Sequence, residues 1–212
     1  MTTLSATLLA LTSVVAVVDW WATWNQRREV RMIAKPLTLA LLIGVALSVE
    51  PFDSQVRTWM VIGLVLSLGG DIFLLFEEKF FVFGLASFLL GHIAYVIAMQ
   101  YERDSTLALL VGLALVAASV AVVGRRIVGA VNRGDHPELT GPVIAYLVVI
   151  SAMVVSAFGT MGAAAIVGAV LFYISDATLA WNRFVQPFRA GPLAVMVTYH
   201  LGQIGLTMWL VM

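Results

Sequence analysis

The sequence predicts an all-α membrane protein with eight transmembrane helices. Of its 212 residues, 61% are hydrophobic and 11% are charged, whereas about 25% of the residues in an ordinary soluble domain are charged. Apolar runs that approach the roughly 20 residues needed to cross a bilayer recur along the whole chain. Because no stretch is long and polar enough for a second domain, we expect a single transmembrane domain over residues 1–212.

The apolar runs define the expected helices in chain order. The first run lacks the basic segment that opens a signal peptide, so we expect it to be a retained span. The predicted spans are Leu4–Trp24, Ile33–Val49, Arg57–Phe76, Phe80–Met99, Ser105–Val123, Pro142–Phe158, Met161–Ala180 and Pro192–Val211.

The basic residues predict the orientation of these helices. Ten of the twelve Lys and Arg residues fall in loops 24–35, 77–79, 124–141 and 181–191, and only Arg57 and Arg103 lie elsewhere. Cytoplasmic loops of membrane proteins are enriched in Lys and Arg. We therefore expect these loops to face the cytoplasm, both termini to face the opposite side, and the protein to reside in the cell (inner or plasma) membrane.

Charge and cysteine content exclude several kinds of function. The formal net charge is zero, which gives no indication of nucleic-acid binding or of attraction to a membrane surface from outside. The chain contains no cysteine. Disulfides, thiol nucleophiles and cysteine-ligated metals are thereby excluded.

Two aspartates, Asp71 and Asp176, fall inside predicted spans, and each follows a small residue and precedes a Leu by three positions. A carboxylate near the bilayer centre costs roughly 2.5–3.5 kcal/mol on the insertion scale, and ionisable groups at such depth mark functional sites. Both lie about five residues, or roughly 7.5 Å, from the cytoplasmic helix end. The structural alternative is that each one hydrogen-bonds a neighbouring helix and fixes its register.

The spacing of polar landmarks predicts an internal repeat. Pro36 and Pro142 are 106 residues apart, Asp71 and Asp176 are 105 apart, and His92 and His200 are 108 apart. Each step crosses four helices, so the halves, approximately 1–104 and 105–212, form a 4+4 parallel repeat with an axis along the membrane normal. Such an axis places the two aspartates at equal depth across a central cavity. Coincidence among similar apolar helices is the alternative.

Cations near the cytoplasmic ends of the helices suit a lipid phosphate. Lys35 precedes Pro36, and Arg183 follows Asp176 by seven residues, which returns it to the same helix face nearer the water. Both can hold a phosphate at headgroup level, or they can simply extend to the interface. Asn182 is expected at the same depth, near the cytoplasmic ends of the helices.

Other polar side chains have both functional and structural interpretations. His200, with Tyr199 and Gln203 beside it, gives the last helix a polar stripe. The alternative for both His200 and His92 is structural, because a histidine in a helical bundle is more often a packing residue than a ligand. Asp19 precedes Trp20, Trp21 and Trp24, which are typical of an interfacial aromatic belt. We therefore interpret Asp19 as an interface residue.

At these positions the chain resembles the lysoplasmalogenase (YhhN-like) integral membrane family over nearly its whole length. The resemblance rests on a set of short motifs in order: Lys35-Pro-Leu, Gly70-Asp71, Phe83-Gly…Phe88…His92…Tyr95, Ser175-Asp176…Leu179…Asn182-Arg183-Phe184 and Tyr199-His200…Gln203. It implies a multi-pass enzyme that hydrolyses the vinyl-ether bond of lysoplasmalogens to a fatty aldehyde and glycerophosphoethanolamine or glycerophosphocholine. It implies no metal and no other cofactor.

The implied chemistry suits the two aspartates. A vinyl ether hydrolyses by protonation at carbon, and water then attacks the oxocarbenium ion, so a general acid and a carboxylate are needed. We expect Asp71 to be the acid and Asp176, which shares its face with Arg183, to be the base. The residues expected to bind substrate are Lys35, Asn182, Arg183, His200, Tyr199, Gln203 and His92.

Two other classes of function remain open at the level of sequence. Paired intramembrane carboxylates in two half-repeats are also typical of a small proton-coupled transporter. A structural or receptor-like membrane protein is the third possibility, and it leaves the repeated aspartates unexplained. A bound single-chain lipid near Lys35 and Arg183 favours the hydrolase, whereas a water-lined path through the full bilayer favours transport.

Overall fold

The computed structural model describes residues 2–211, apart from the side chains of residues 77 and 78. Within that range the protein is helical, contains no strand, and has eight helical segments long and apolar enough to span a membrane. The predicted class and number of spans are confirmed. The helices are α1 (Thr3–Trp24), α2 (Arg28–Ser48), α3 (Ser54–Leu74), α4 (Glu77–Tyr101), α5 (Thr106–Ser119), α6 (Arg125–Arg133), α7 (Thr140–Gly159), α8 (Ala163–Ala180) and α9 (Gly191–Met208).

Side-chain caps explain why some helices begin earlier than predicted. The Asp53 carboxylate accepts hydrogen bonds from the backbone N–H groups of Gln55 and Val56, at 2.6 and 2.9 Å. Helix α3 therefore begins at Ser54 rather than at Arg57, because the cap satisfies N–H groups that lack partners within the helix.

The predicted loop 124–141 is wrong for most of its length. A π-helical turn, Val120–Gly124, joins α5 to α6 without a break, and the helix continues to Arg133. Its apolar side chains Ile127 and Val131 are buried against Phe81 and Val143. This amphipathic pattern stabilises a helix in a stretch whose three arginines, at 125, 126 and 133, indicated a loop. Only residues 134–136 separate α6 from the 3-10 turn Pro137–Leu139.

Small residues allow close contact between α8 and α9. A Cβ atom on Gly168 would lie 2.6 Å from the backbone nitrogen of Leu206 and 2.9 Å from the carbonyl oxygen of Gly202. Helices in membranes pack through such residues, because apolar side chains gain little by leaving lipid. The backbone of α9, which carries Tyr199, His200 and Gln203, is thereby held directly against α8.

The core of the bundle lies between α2, α3, α4, α7, α8 and α9. Its largest buried side chains include Leu64, Tyr95 and Phe172. Helices α1 and α5 instead expose apolar side chains, such as Val14 and Leu107, as expected for surfaces that face lipid. The internal repeat of the two halves stays a prediction.

Candidate active site

Asp71 lies near the end of α3 and contacts side chains from two other helices. The Nζ atom of Lys35, on α2, lies 3.2 Å from Oδ1 of Asp71. The hydroxyl of Tyr199, on α9, donates a hydrogen bond to Oδ2 at 2.8 Å. Asp71 is 1% exposed and Lys35 is 7% exposed. Lys35 was predicted at the level of lipid headgroups, but it lies inside the bundle, where its ammonium group is paired with Asp71.

Asp176 lies on α8, and its carboxylate has a different set of neighbours. The hydroxyl of Tyr146, on α7, donates a hydrogen bond to Oδ2. Nε2 of His92, on α4, lies 3.8 Å from the same oxygen, which is too far for a hydrogen bond. The Asp176 side chain is 14% exposed, whereas the His92 side chain is completely buried.

A series of packed aromatic rings links the residues that lie next to the two aspartates. The Phe172 ring lies 4.7 Å from the His92 ring and 5.2 Å from the Tyr199 ring, measured between centroids. Phe88 packs edge-on against Tyr199 at 5.8 Å, in space left open by Gly70, which has no side chain. Tyr199 therefore contacts Asp71, His92 approaches Asp176, and Phe172 packs between these two residues.

An apolar cleft of about 800 Å³, counting its open mouth, reaches Asp176 from the surface of the bundle. Tyr146 and Asp176 are among the residues that line it. Arg183 also lines it, with its guanidinium carbon 3.8 Å from the centre of the Phe81 ring. Most of the other lining groups are hydrocarbon: Leu74, Leu85, Phe88, Val123, Ile127, Val143, Leu147, Ile150, Leu179, Ala180 and Phe184.

The predicted polar stripe on α9 exists, but its members have separate partners. His200 accepts a hydrogen bond at Nδ1 from the indole N–H of Trp20, at 3.0 Å. Gln203 accepts one from the hydroxyl of Tyr95, at 2.7 Å. Of the three, only Tyr199 contacts a candidate catalytic carboxylate. His200 and Gln203 connect α9 to α1 and α4.

Asn182 lies in the π-helical turn Trp181–Val185 that follows α8. Its side-chain oxygen accepts a hydrogen bond from the backbone N–H of Phe188 at 3.0 Å. This bond holds the connection to α9 close to the end of α8. The two neighbouring side chains therefore have different contacts: Asn182 bonds to the loop before α9, whereas Arg183 lines the cleft.

Sequence reasoning missed three residues near the site. Asp19 was predicted at the interface but is 0% exposed, with one carboxylate oxygen 4.0 Å from Nε of Arg31. Trp20 was assigned to an aromatic belt, yet it donates a hydrogen bond to His200. Tyr146 was not singled out, although a hydroxyl within an apolar span needs a hydrogen-bond partner and so signals a buried polar neighbour. Among the side chains that the structure describes, which exclude those of residues 77 and 78, no three His, Asp or Glu residues converge as metal ligands would.

Comparisons with known proteins agree on one family. The sequence profile of the YhhN family matches residues 30–210. Human "Lysoplasmalogenase TMEM86B" is 32% identical over 145 residues, which is 68% of this chain and 60% of that protein. The rat protein of the same name is 30% identical over 89% of this chain and 76% of its own length. "Lysoplasmalogenase" of Mycobacterium tuberculosis is 32% identical over 80% of this chain and 66% of its own length. No solved structure gives a significant match.

Proposed function

This chain belongs to the YhhN family, and from that premise we propose that it hydrolyses the vinyl-ether bond of lysoplasmalogens within a membrane. The products are a fatty aldehyde and glycerophosphoethanolamine or glycerophosphocholine. The named relatives supply the substrate class, since they are called lysoplasmalogenases. The residues described above supply the chemistry.

One observation supports the proposal above all: a carboxylate, Asp176, and a guanidinium group, Arg183, line the same apolar cleft. A lysolipid has one hydrocarbon chain, an ether linkage at the end of that chain, and a phosphate beyond it. The apolar lining suits the chain, Asp176 suits the linkage, and Arg183 suits the phosphate.

Hydrolysis begins with the transfer of a proton to carbon. We assign Asp176 as the general acid, because it lines the cleft in which the vinyl group would lie. Proton transfer from its carboxyl group to the vinyl carbon distal to oxygen gives an oxocarbenium ion. The Tyr146 hydroxyl holds the Asp176 carboxyl group in place by its hydrogen bond.

Asp71 is assigned as the ionised partner. Its ion pair with Lys35 and its hydrogen bond from Tyr199 are the contacts of a carboxylate. A negative charge here stabilises the oxocarbenium ion and orients the attacking water, as the second carboxylate does in glycosidases. This assignment reverses the roles expected from the sequence, in which the cation on the face of Asp176 suggested that Asp176 was the base.

The product forms when water adds to the oxocarbenium carbon. The resulting hemiacetal loses the glycerol oxygen as an alcohol, and the former vinyl-ether carbon becomes the aldehyde carbon. Asp71, which takes one proton from the attacking water, gives it to the departing glycerol oxygen as the hemiacetal collapses. Asp176 takes the proton of the hemiacetal hydroxyl, so both carboxyl groups return to their starting states. The aldehyde chain leaves through the apolar cleft.

The direct test is aldehyde release by the purified protein in detergent from a 1-alkenyl lysophosphoethanolamine. The matched control substrate is the 1-alkyl ether lysolipid, which has no vinyl carbon to protonate. We expect cleavage of the alkenyl substrate, and we expect the alkyl lysolipid to inhibit without being cleaved. If a folded preparation releases no aldehyde from the alkenyl substrate, the proposed reaction is wrong. Proton-coupled transport by the same carboxylates would then be the function to measure.

A further inference from the structure

A second polar cluster lies between α1, α2 and α9. It contains Asp19 and Thr23, one helical turn apart on α1, and Arg31 and Lys35, one turn apart on α2. His200 on α9 completes it, beside the Trp20 indole. Asp19 and His200 are 0% exposed. The mechanism above uses only Lys35 from this cluster.

The cluster holds polar atoms that the protein itself does not satisfy. Within the described residues, both carboxylate oxygens of Asp19, Oγ1 of Thr23, Nε of Arg31 and Nε2 of His200 are buried without a hydrogen-bond partner. The 4.0 Å between Nε of Arg31 and Asp19 is too long for a hydrogen bond. Buried polar groups in proteins are almost always paired, and buried water molecules form about three such bonds each.

The cluster also connects the surface of the bundle to Asp71. The side chain of Arg31 is 26% exposed, that of Lys35 is 9% exposed, and that of Asp71 is 1% exposed. Nε of Arg31 lies 4.0 Å from Oδ1 of Asp19, and Nζ of Lys35, one turn further along α2, lies 3.2 Å from Oδ1 of Asp71. Side-chain exposure therefore falls from Arg31 through Lys35 to Asp71, the carboxylate that we propose orients the attacking water.

The cluster is separate from the apolar cleft. None of Asp19, Thr23, Arg31, Lys35 or His200 lines that cleft, whose walls come from α3, α4, α7, α8, the turn Val120–Gly124 and their neighbours. The two regions meet at Tyr199, which bonds to Asp71 and packs against Phe88, a residue that lines the cleft. Hydrolysis consumes one water molecule for each vinyl ether cleaved, and a cleft that is filled by a hydrocarbon chain is a poor route for water.

We propose that this cluster is a water-binding path that delivers the hydrolytic water to Asp71 from the α1–α2 side of the bundle, while the lipid enters by the apolar cleft. The inference rests on the proposed function for the use of the water, but not for its presence. The oxygen of a delivered molecule forms the new bond to the oxocarbenium carbon and ends in the aldehyde. One of its protons passes to the ionised carboxylate, and the ether oxygen leaves as the alcohol.

Introduced cysteines can test for water in the cluster without any activity measurement, because the chain itself contains no cysteine that would also react. Thr23→Cys and Ala22→Cys place single thiols at neighbouring buried positions of α1, the first within the cluster and the second outside it. A thiol reacts as its thiolate, which requires contact with water. We expect a small hydrophilic methanethiosulfonate reagent to modify Thr23→Cys roughly tenfold faster than Ala22→Cys. Equal rates would mean that depth alone sets the reactivity, and the proposal would be wrong.

The use of the water is tested by a matched pair of threonines on α1. Thr23→Val removes the unpaired hydroxyl of the cluster, whereas Thr12→Val removes a buried hydroxyl that already bonds the Leu8 carbonyl at 2.8 Å. We expect Thr23→Val to lower kcat several-fold at unchanged KM for the lysolipid. Thr23→Ser, which keeps a hydroxyl, should restore kcat. Thr12→Val should leave both constants unchanged.

Two results of the kinetic test would overturn the proposal. If Thr23→Val raises KM or alters the preference between ethanolamine and choline headgroups, the cluster binds the substrate headgroup rather than water. If Thr23→Val leaves both constants unchanged, the cluster does not supply the water that the reaction consumes. A protein that shows fast labelling at position 23 but releases no aldehyde from any lysolipid would refute the proposed function and leave the water site standing.

Discussion

The two carboxylates differ in their neighbours, and their neighbours suggest different tasks. Asp71 is held by an ammonium group and a phenol hydroxyl from α2 and α9. Asp176 is held by the Tyr146 hydroxyl and lines the apolar cleft. Because each partner comes from a separate helix, the positions of the carboxylates depend on the packing of the whole bundle. The local sequences around the two aspartates, although similar, could not distinguish these environments.

Substituting each aspartate by asparagine tests whether they act as a pair. Asp71→Asn and Asp176→Asn preserve size and most hydrogen bonding but remove the charge or the proton donor. We expect each to lower the rate of aldehyde release by at least about 10²-fold, the lower end for general acid–base catalysis. The double variant should be little slower than the slower single variant, because catalytic groups that act as a unit are not additive.

Folding is controlled by thermal unfolding in detergent, since a buried aspartate also ties helices together. A folded variant that keeps near-normal aldehyde release would show that its carboxylate takes no part in the chemistry. The polar residues around His200 would then be the next candidates for the catalytic groups.

Lys35 and Arg183 were expected to have the same role, and the structure separates them. Lys35→Met removes the partner of a buried carboxylate, so we expect kcat to fall sharply. Arg183→Gln removes a cation that lines the cleft. We expect it chiefly to raise KM, because a phosphate contact made equally in the ground and transition states contributes uniform binding.

Steady-state kinetics with the alkenyl lysolipid distinguish these effects. Arg126→Gln is a suitable control, because Arg126 is exposed on α6 and does not line the cleft. A fall in kcat at constant KM for Arg183→Gln would place its guanidinium group in the chemical step. A rise in KM alone for Lys35→Met would return Lys35 to a headgroup role.

At the scale of helices, the contact between α8 and α9 positions the stripe that includes Tyr199. Gly168→Ala would place a methyl group 2.6 Å from the backbone nitrogen of Leu206. The helices must then separate, so we expect a loss of stability of about 1–3 kcal/mol, as for overpacked cores. Gly141→Ala is the control, because a Cβ atom there meets nothing within 4 Å. Thermal unfolding in detergent measures both, and equal behaviour of the two variants would contradict close packing at Gly168.

The sequence predicted the number of spans well because span length and hydropathy follow from the thickness of the bilayer. It could not predict which face of each helix meets which neighbour. In a soluble protein the apolar face points inward, but in a membrane lipid-facing and buried faces are both apolar, so this signal is lost. Asp19 and Tyr146 were therefore misplaced or overlooked. Helix α6 was missed for a different reason, because its arginines concealed a short amphipathic pattern.

At the scale of the whole molecule, the basic residues predict which way the bundle is inserted. The turn after α6 is expected in the cytoplasm and the connection between α2 and α3 on the opposite side. Single cysteines at Asp135 and Glu50 test this in intact cells with a membrane-impermeant maleimide. We expect Glu50→Cys to be labelled from outside and Asp135→Cys only after lysis. The reverse pattern would place the termini in the cytoplasm and the cleft mouth on the outer side.

The internal repeat makes a stronger prediction, because a twofold axis brings equivalent residues together where they lie near it. Tyr95 and Gln203 are 108 residues apart, the same spacing as His92 and His200, and they share a hydrogen bond of 2.7 Å. This contact is expected for equivalent positions close to an axis between α4 and α9. Asp71 and Asp176 should then lie on opposite sides of that axis at equal depth.

We therefore expect the two carboxyl groups to lie less than about 10 Å apart, a distance that leaves room for a reacting bond and one water. In this cysteine-free chain, Asp71→Cys combined with Asp176→Cys should be joined within one molecule by a bifunctional thiol reagent with a reach of about 10 Å. Asp71→Cys with Ser156→Cys is the control, since Ser156 lies near the opposite end of its helix, α7. Efficient cross-linking of the control pair would show that the reagent also joins distant thiols that motion brings together, so that it would not measure the distance between the carboxyl groups. Failure of the aspartate pair to join, with both thiols reactive singly, would mean that packed helices separate the carboxylates, and acid and base could not act on one bond.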